Sequence, residues 1–593
     1  MVSTRQMAAS IWRILHPGSK CEVFLRSAYH AFNSNSFISR QQIIKAERSY
    51  QRWKKIHEER IKMVPPSQKK TPSITFIVRC LPGQEEGGIR TISSIKSQSL
   101  GGWKVLIYAA QGWDSSLLEK EISTDRRILF YGESPLSFNQ ILTKAESGFY
   151  LFCDSGDVFS PQFIKMFGLS NAEFPEADIY STDVEIISDG KNSTKPFFKP
   201  TEFSPEFLLS MNYLSRSLIK AEFLMVESLF PCEEFFESEW ELLLKASQDS
   251  IKITHIPYLL ISVNGLMDSK PRNIQKIYFN KYSRSSFMDS AEGNLRRSLS
   301  SVKVSIIVPT LNNYHKISKL LDSIVERTAA PDYEIILVDT GSSDRKVITL
   351  YDQLKERDNF RIVNYEGEFN YSQAINLGAS IASGDLLLFL NNDMQVIEPD
   401  WLVELARWAG IPGVGVVGTK LLFSDHRIQH AGVVLGLQGF TGNVYKNAPE
   451  HYFGFTGSLD WTRNLSAVSG ACQMIRKGVF EELDGYDPNY QIVFGDVDLC
   501  LRAIQNGYRV VYAPGAAMFH YEGRTRGYLT PVKDMINGYE KMEHWIEVGD
   551  PMFSPHLTYS TIPACDLISD PNASRLKNIL DRRAYLRNSI KKH

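Results

Sequence analysis

Three strand-like runs in the second half of this 593-residue chain end in oxygen-bearing side chains, a placement suited to chemistry on a charged ligand. VSIIVPTLNN carries Thr310 and Asn312 at its end, and YEIILVD stops at Asp339, before the turn Gly341-Ser342-Ser343-Asp344. In an open α/β sheet, ligands bind outside the carboxyl ends of the strands, so Thr310, Asn312 and Asp339 would line one site. Asp339 could there accept hydrogen bonds from a base or a ribose. Asp339 and Asp344 are equally suited to capping a turn and the helix after it. The apolar run from Asp385 to Leu390 ends in Asn391-Asn392-Asp393. Two such side chains at a strand mouth suit a hard divalent cation, which keeps some of its waters and bridges phosphates.

Two later segments add candidates. FGDVDLCLR is amphipathic at helical spacing, and Asp496 at its start is either an N-cap or a general base. Asp498 and Arg502, four residues apart, suit a structural pair. The strand RVVYAPGAAMFH ends at His520, with Arg524 and Arg526 just beyond. A lone histidine is more often structural than a ligand. Beside the Asn391-Asn392-Asp393 step, however, a neutral imidazole is a candidate further ligand, and two arginines could offset phosphate charge.

Positioning these residues takes a sheet, and the sequence writes that sheet twice. From Ser73 to Asn264 short β-type runs alternate with longer polar-apolar stretches, the pattern of β-α-β units on a mostly parallel sheet, and from Val302 the pattern restarts. SITFIVRCLPGQEEGGIRTISSI sits over VSIIVPTLNNYHKISKLLDSI, WKVLIYA over YEIILVD, and FNQILTKAESGFYLFCDSGD over YSQAINLGASIASGDLLLFLNND. This is an internal repeat of roughly 230 to 240 residues. The expected organisation is a basic helical extension over 1–68, a first α/β domain over 69–265, a linker over 266–300, a second α/β domain over 301–530, and a basic helical tail over 531–593.

Composition narrows the class. Lys+Arg 66 against Asp+Glu 67 and 43% hydrophobic residues describe a globular protein of more than one domain, not a disordered or fibrous one. The cysteines are odd in number and never in a C-x-x-C pair, which argues against a zinc ribbon or a secreted bridge framework and fits a reducing cytosol. No apolar run approaches the ~18 to 20 residues that span a bilayer. Arg5, Arg13 and His16 interrupt any secretory pattern at the start. Charge is unevenly placed: residues 1–70 hold fourteen Lys/Arg against four Asp/Glu, and 574–593 hold seven against one, so the body is acidic. Basic ends containing Ile11-Trp12, Ile14-Leu15, Phe24-Leu25 and Trp53 suit an anionic membrane surface, or else are solvated helices packed on the domains. The acidic body argues against nucleic acid. Oligomeric state is not written in the sequence.

Taken together, VSIIVPTLNN, VDTGSSD, GDLLLFLNNDM, GTKLLFSDHRIQHAGVVLG, SAVSGACQMIRKGVFEELDGYDPNY and FGDVDLCLRAIQNGYRVVYAPGAAMFHYEGRTRG resemble family 2 glycosyltransferases of the GT-A fold. The likeness is to the large bacterial members that assemble O-antigen, capsule and cell-wall glycans, and it covers about residues 302–527. It implies inverting transfer of a sugar from a nucleoside diphosphate donor to a hydroxyl of a glycan acceptor, lipid-linked as in the family, at the cytoplasmic face of a membrane. By the same resemblance Thr310, Asn312 and Asp339 would bind the nucleotide. Asn391 and Asp393 would form the step that binds Mg2+ or Mn2+, His520 would complete the metal shell, and Asp496 would be the catalytic base. Gly470, in Ser469-Gly470-Ala471-Cys472, would lie beside the donor sugar, where a small residue allows close approach; a tight turn would also explain it. Arg524 and Arg526 would face the donor phosphates. Cys472 is not expected to be a nucleophile, since inversion needs none.

Two departures matter. The family step usually begins with Asp, and Asn391 carries one negative charge fewer, so Asp393 would hold most of the metal. In the first copy, Ala109 stands where the second has Asp339, and Asp154-Ser155-Gly156, with Asp157 next, stands for the metal step. No histidine closes that strand, although Glu239 falls over Asp496. The first copy therefore reads as a GT-A-like domain that has lost nucleotide binding. The rivals are a bifunctional protein using Asp154, Asp157 and Glu239 as a second active set, a sugar-phosphate nucleotidyltransferase, and a non-catalytic carbohydrate-binding protein. The nucleotidyltransferase would need a Gly-rich loop where Thr310 to Tyr314 has no glycine.

Overall fold

The computed structural model describes residues 40–110, 112–114, 116–118, 123–130, 148–187, 194–224, 239–240, 243–244, 251–265, 302–328, 332–437, 440–521, 531–559 and 567. The first 39 residues, the expected linker over 266–300, Arg524 and Arg526, and the tail beyond 567 lie outside the described residues.

The first unit runs α1 (Arg40–Met63), β1 (Ile74–Cys80), α2 (Glu85–Lys96), β2 (Trp103–Ala109), β3 (Ile128–Phe130), β4 (Phe149–Asp154), β5 (Val158–Phe159), α3 (Phe163–Glu173), β6 (Ile179–Ile187), β7 (Thr194–Phe197), β8 (Leu218–Lys220) and β9 (Ile253–Asn264). The second runs β10 (Lys303–Thr310), α4 (Tyr314–Arg327), β11 (Asp332–Asp339), α5 (Arg345–Leu354), β12 (Phe360–Asn364), α6 (Tyr371–Ser380), β13 (Leu386–Leu390) and β14 (Met394–Val396). It continues with α7 (Trp401–Ala409), β15 (Val414–Leu422), β16 (Cys472–Arg476), α8 (Gly495–Gln505), β17 (Arg509–His520) and α9 (Val532–Val548).

The repeat read from sequence is a repeat of topology. One sheet is ordered β3-β2-β1-β4-β8-β6-β9-β5 and the other β12-β11-β10-β13-β16-β15-β17-β14, the same path strand for strand. In both, the first four strands pair in parallel, the next two pairings are antiparallel, the next is parallel, and the edge strand closes antiparallel. Two α/β units in tandem, each with parallel central strands, are as expected. Register fixes the equivalences: Cys80 pairs with Ala109 where Thr310 pairs with Asp339.

The apolar runs explain the layers. β13 is buried at every residue and β10 at all but its first, the pattern of central strands covered on both faces. Helix α6 packs on β10 and β11, and α7 on β15 and β17. The α6 contact is so close that a Cβ on Gly378 would come within 2.4 Å of Ile307 Cγ2, which is why glycine stands there. Among the described residues no helix is long and apolar enough to cross a membrane.

The units are joined through buried polar contacts. Glu206, 1% exposed, accepts from Arg509 Nε at 3.0 Å, Arg509 Nη2 at 2.7 Å and Asn464 Nδ2 at 2.7 Å. His556 Nε2 lies 2.7 Å from the Pro257 carbonyl. Helix α1 is part of this body: Tyr50 donates to Glu185 at 2.7 Å and Lys54 pairs with the same carboxylate at 2.7 Å. Trp53, placed above among possible membrane-facing residues, is instead buried, stacked on His57 at 4.4 Å and edge-on to Phe198 at 5.6 Å. An indole already covered by protein cannot enter a bilayer. Residues 531–559, expected in a tail, pack onto the second unit, with Met535, Tyr539, Phe553, Leu557 and Tyr559 buried in its core.

Removing Arg509 would leave Glu206 buried without its charge partner, and Arg509→Ala is expected to cost roughly 2–3 kcal/mol. Lys355→Ala, which breaks an exposed pair with Asp352, is expected to cost nearly nothing. Denaturant unfolding of the two variants checks this, and equal stability would show that the ion pair does not hold the units together.

Candidate functional site

A cavity of about 290 Å3 opens at the strand ends of the second unit, lined by Tyr371, Asn391, Thr441, Asn443, Gly470, Phe494, Asp496 and His520, among others. It brings together four of the residues singled out from sequence: Asn391, Gly470, Asp496 and His520. Asp496 is the second residue of α8, so it is not the N-cap; that position belongs to Phe494, held at φ 71°. A left-handed phenylalanine is strained, and strain of this kind persists where the surroundings over-determine it. Here the ring packs edge-on against Phe440 at 4.3 Å.

The carboxylate of Asp496 accepts from the Gly470 N–H at 2.7 Å and the Val497 N–H at 2.9 Å. Burial raises its pKa above the usual carboxylate range, and these two donors offset only part of that. A Cβ on Gly470 would stand 3.0 Å from Asp496 Cβ and 3.1 Å from Tyr486 Oη, so glycine lets this carboxylate sit close without displacing its neighbours. Neighbouring Cys472 is 1% exposed and its thiol is pushed up to about 12 by burial, a poor nucleophile. Asp498 and Arg502 form the structural pair expected, at 2.8 Å.

Next to the cavity residue His520, Asp393 Oδ1 lies 3.2 Å from His520 Nε2, and Asp393 Oδ2 3.1 Å from Lys316 Nζ. Burial would raise the Asp393 pKa, but His520 and Lys316 outweigh it and hold the carboxylate well below its usual range. Asn391 Oδ1 accepts from Tyr371 Oη at 3.3 Å, and its Nδ2 is 3.5 Å from His520 Nε2. Among the described residues no group of three or more His, Cys, Asp or Glu is placed to hold a metal. Asp393 and His520 thus offer a two-ligand corner, with the amide of Asn391 beside it. That fits an ion whose shell is completed by substrate phosphates and water, as Mg2+ prefers, and does not fit a closed structural site.

Thr310, Asn312 and Asp339 cluster at adjacent strand ends but do not line this cavity. Thr310 is 1% exposed, and its hydroxyl accepts from Asn392 Nδ2 at 3.4 Å. Asn312 Oδ1 accepts from the N–H groups of Ser343 and Asp344, each at 2.7 Å. Asp339 accepts from the Ser342 N–H at 3.1 Å and from Tyr351 Oη at 3.1 Å. Asp344 is the N-cap of α5, accepting from the Lys346 N–H at 2.9 Å. The capping role therefore falls on Asp344 and Asn312, while Asp339 braces the turn and remains partly exposed.

In the first unit the corresponding place is filled by protein. Arg216 donates to Asp154 Oδ2 and Asp157 Oδ2, both at 2.8 Å, and Arg79 Nε reaches Asp154 Oδ1 at 2.7 Å. Arg216 is itself in the left-handed region at φ 65°. Glu239, which sequence sets over Asp496, is fully buried, and burial pushes it up to about 8.

Two residues that shape this region, Lys316 and Asp534, were not legible in the sequence. Lys316 lies two residues into α4, with nothing local to mark it. Asp534, from the segment read as tail, is 0% exposed and accepts from the N–H groups of Gln491, Ile492 and Val493 at 2.9, 2.8 and 3.0 Å, so α9 shapes the loop that lines the cavity beside Asp496. The only sequence signal was an acidic residue at the start of a helical stretch. Asp534→Ala would orphan three amide donors at once. It is expected to lower kcat at least tenfold while costing about 2–4 kcal/mol of stability. Turnover equal to wild type would show that this loop does not set the site.

Residues 305–484 match the family described as Glycosyl transferase family 2. The O-antigen biosynthesis protein RfbC of Myxococcus xanthus is 30% identical over 509 residues, spanning 81% of this chain and 40% of that protein. The chain therefore spans less than half the length of that relative. A PGL/p-HBAD biosynthesis glycosyltransferase of Mycobacterium bovis is 34% identical over 209 residues, 34% of this chain and 70% of that protein. Among solved structures, GalNAc-T7 with UDP, GalNAc and Mn2+ shows a partial likeness, with a TM-score of 0.35 and 17% identity over 42% of this chain and 49% of that one. The chain belongs to glycosyl transferase family 2, and its second α/β unit carries the family's segment.

Proposed function

We propose that the second unit transfers a sugar, with inversion, from a nucleoside diphosphate sugar to a hydroxyl of a growing surface glycan. The observation that carries this reading is Asp496, a carboxylate with a raised pKa, sharing one cavity with Asn391 and His520, beside Asp393. Asp496 takes the proton of the acceptor hydroxyl while that oxygen forms its bond to the anomeric carbon. The bond from that carbon to the diphosphate breaks on the opposite face, and its electron pair leaves with the nucleoside diphosphate. Asp393 and His520 would hold Mg2+ or Mn2+, which supplies charge stabilisation to the leaving diphosphate when bound. Lys316 adds a protein cation at the same place. Asp339 and Asn312 would receive the nucleoside, and Arg524 and Arg526 would face its phosphates. A surface glycan of the O-antigen class is favoured because a relative matched over 81% of this chain bears that name. A lipid-linked acceptor fits the basic segments at both ends, which suit an anionic inner membrane face.

Asp496→Asn should lower transfer about 10^2- to 10^4-fold with nucleoside diphosphate affinity unchanged. In the wild type, activity should fall in acid with a midpoint above the ordinary carboxylate value of about 4, because the raised Asp496 must be deprotonated to act. Steady-state rates across pH check both, and a wild-type-like rate in Asp496→Asn would remove the assignment.

The first unit we read as non-catalytic, since Arg216 occupies the place between its two aspartates. Glu239→Gln should leave the product linkage unchanged. Glu239 is raised from 4.5 to about 8, so the folded state accepts it protonated, and wild-type stability is lost relative to Glu239→Gln as pH rises across that window. Loss of one of two product linkages in Glu239→Gln would instead mark a bifunctional protein.

A further inference from the structure

The cavity has a polar edge that the reaction above does not use. Residues 441–443 pair with 433–435 as a short hairpin, Val433 opposite Asn443, and alternation along the strand puts Thr441 and Asn443 on one face, both lining the cavity. Behind Asn443 lies His430, 2% exposed, from the short strand Ile428–His430. Its Nε2 accepts from the Ser469 N–H at 3.2 Å, so the proton of the neutral ring is on Nδ1. That nitrogen is 2.7 Å from Asn443 Oδ1 and donates to it. Burial holds the imidazole neutral, pushing it down to about 4.

The chain of contacts fixes which way the Asn443 amide faces. Its oxygen is taken by His430, and among the described residues its Nδ2 has no protein partner. Two N–H donors and the Thr441 hydroxyl are thus presented to the cavity, a set suited to sugar hydroxyls. Asn443, Ser469 and His520 line the same cavity, so this edge faces the space that the proposed donor would occupy. We infer that Thr441 and Asn443 form a recognition edge for hydroxyl groups of the donor sugar, and that His430 is the positioning residue that aims the Asn443 amide at them. The inference rests on the nucleotide-sugar reading of the cavity. The same imidazole steadies Ser469, next to the Gly470 N–H that holds Asp496, so sugar recognition and the base share one support.

The test is calorimetric titration of the full chain with uridine, guanosine and thymidine diphosphate hexoses, each against its bare nucleoside diphosphate, with melting curves to confirm folding. In the wild type one nucleotide sugar should bind more tightly than its nucleoside diphosphate. Asn443→Asp keeps the acceptor for His430 but loses the amide donors, and it should weaken that nucleotide sugar about tenfold while leaving the nucleoside diphosphate unchanged. Asn443→Ala should do the same. His430→Leu should reproduce the loss, whereas His430→Gln, which can still donate to Asn443 and accept from Ser469, should restore most of it. Wild-type binding in both Asn443 variants, or a wild type that gains nothing from the sugar, would overturn the inference, as would variants that raise only the acceptor KM. Sugar-dependent binding that is lost in the Asn443 variants, in a protein that transfers nothing, would support this edge while overturning the transfer reaction.

Discussion

A carboxylate at the mouth of a buried strand has to be met by positive charge, and the two halves of this chain meet that requirement differently. In the first unit the partner is internal: Arg216 spans Asp154 and Asp157, with Arg79 on the remaining side. Such a pair, buried and well hydrogen-bonded, is costly to break and leaves no room for a substrate cation. In the second unit Asp393 is met by Lys316 and His520, on two different elements, at the edge of an open cavity. The same backbone path is therefore a closed core in one copy and opens beside a cavity in the other. What separates them is where the compensating charge comes from.

The open site depends on supports that lie far apart in sequence. Gly470 permits the approach of Asp496, Phe494 in its left-handed conformation starts α8 one residue before it, and Asp534 ties down residues 491–493 from a helix beyond the expected end of the domain. Tyr371 bridges Asn391 and the Gly470 carbonyl, linking the strand end that carries Asn391 to the loop that holds Asp496. The first unit braces this arrangement through Glu206, Arg509 and Asn464.

Much of the fold was readable because buried parallel strands leave near-continuous apolar runs, and WKVLIYA and LLLFL emerge as β2 and β13 with their bounds nearly intact. The repeat was readable for the same reason, since equivalent strands carry equivalent runs. Asn391, Asp496 and His520 were legible because strand ends and a helix start mark them locally, and Gly470 only through the family resemblance. Arg216, Lys316, His430 and Asp534 were not, because each acts on residues dozens of positions away and no local spacing rule links them. Trp53 misled for a related reason: an aromatic in a basic helix looks the same in sequence whether it faces a lipid surface or a neighbouring domain.

The central claim is that one of two equivalent strand mouths takes the donor while the other is sealed by arginine. Anomalous diffraction from crystals of the full chain grown with Mn2+ and a nucleoside diphosphate tests it directly. The account predicts a single manganese peak per chain, beside Asp393 and His520, with diphosphate density next to it. A peak between Asp154 and Asp157, with Arg216 displaced, would contradict it.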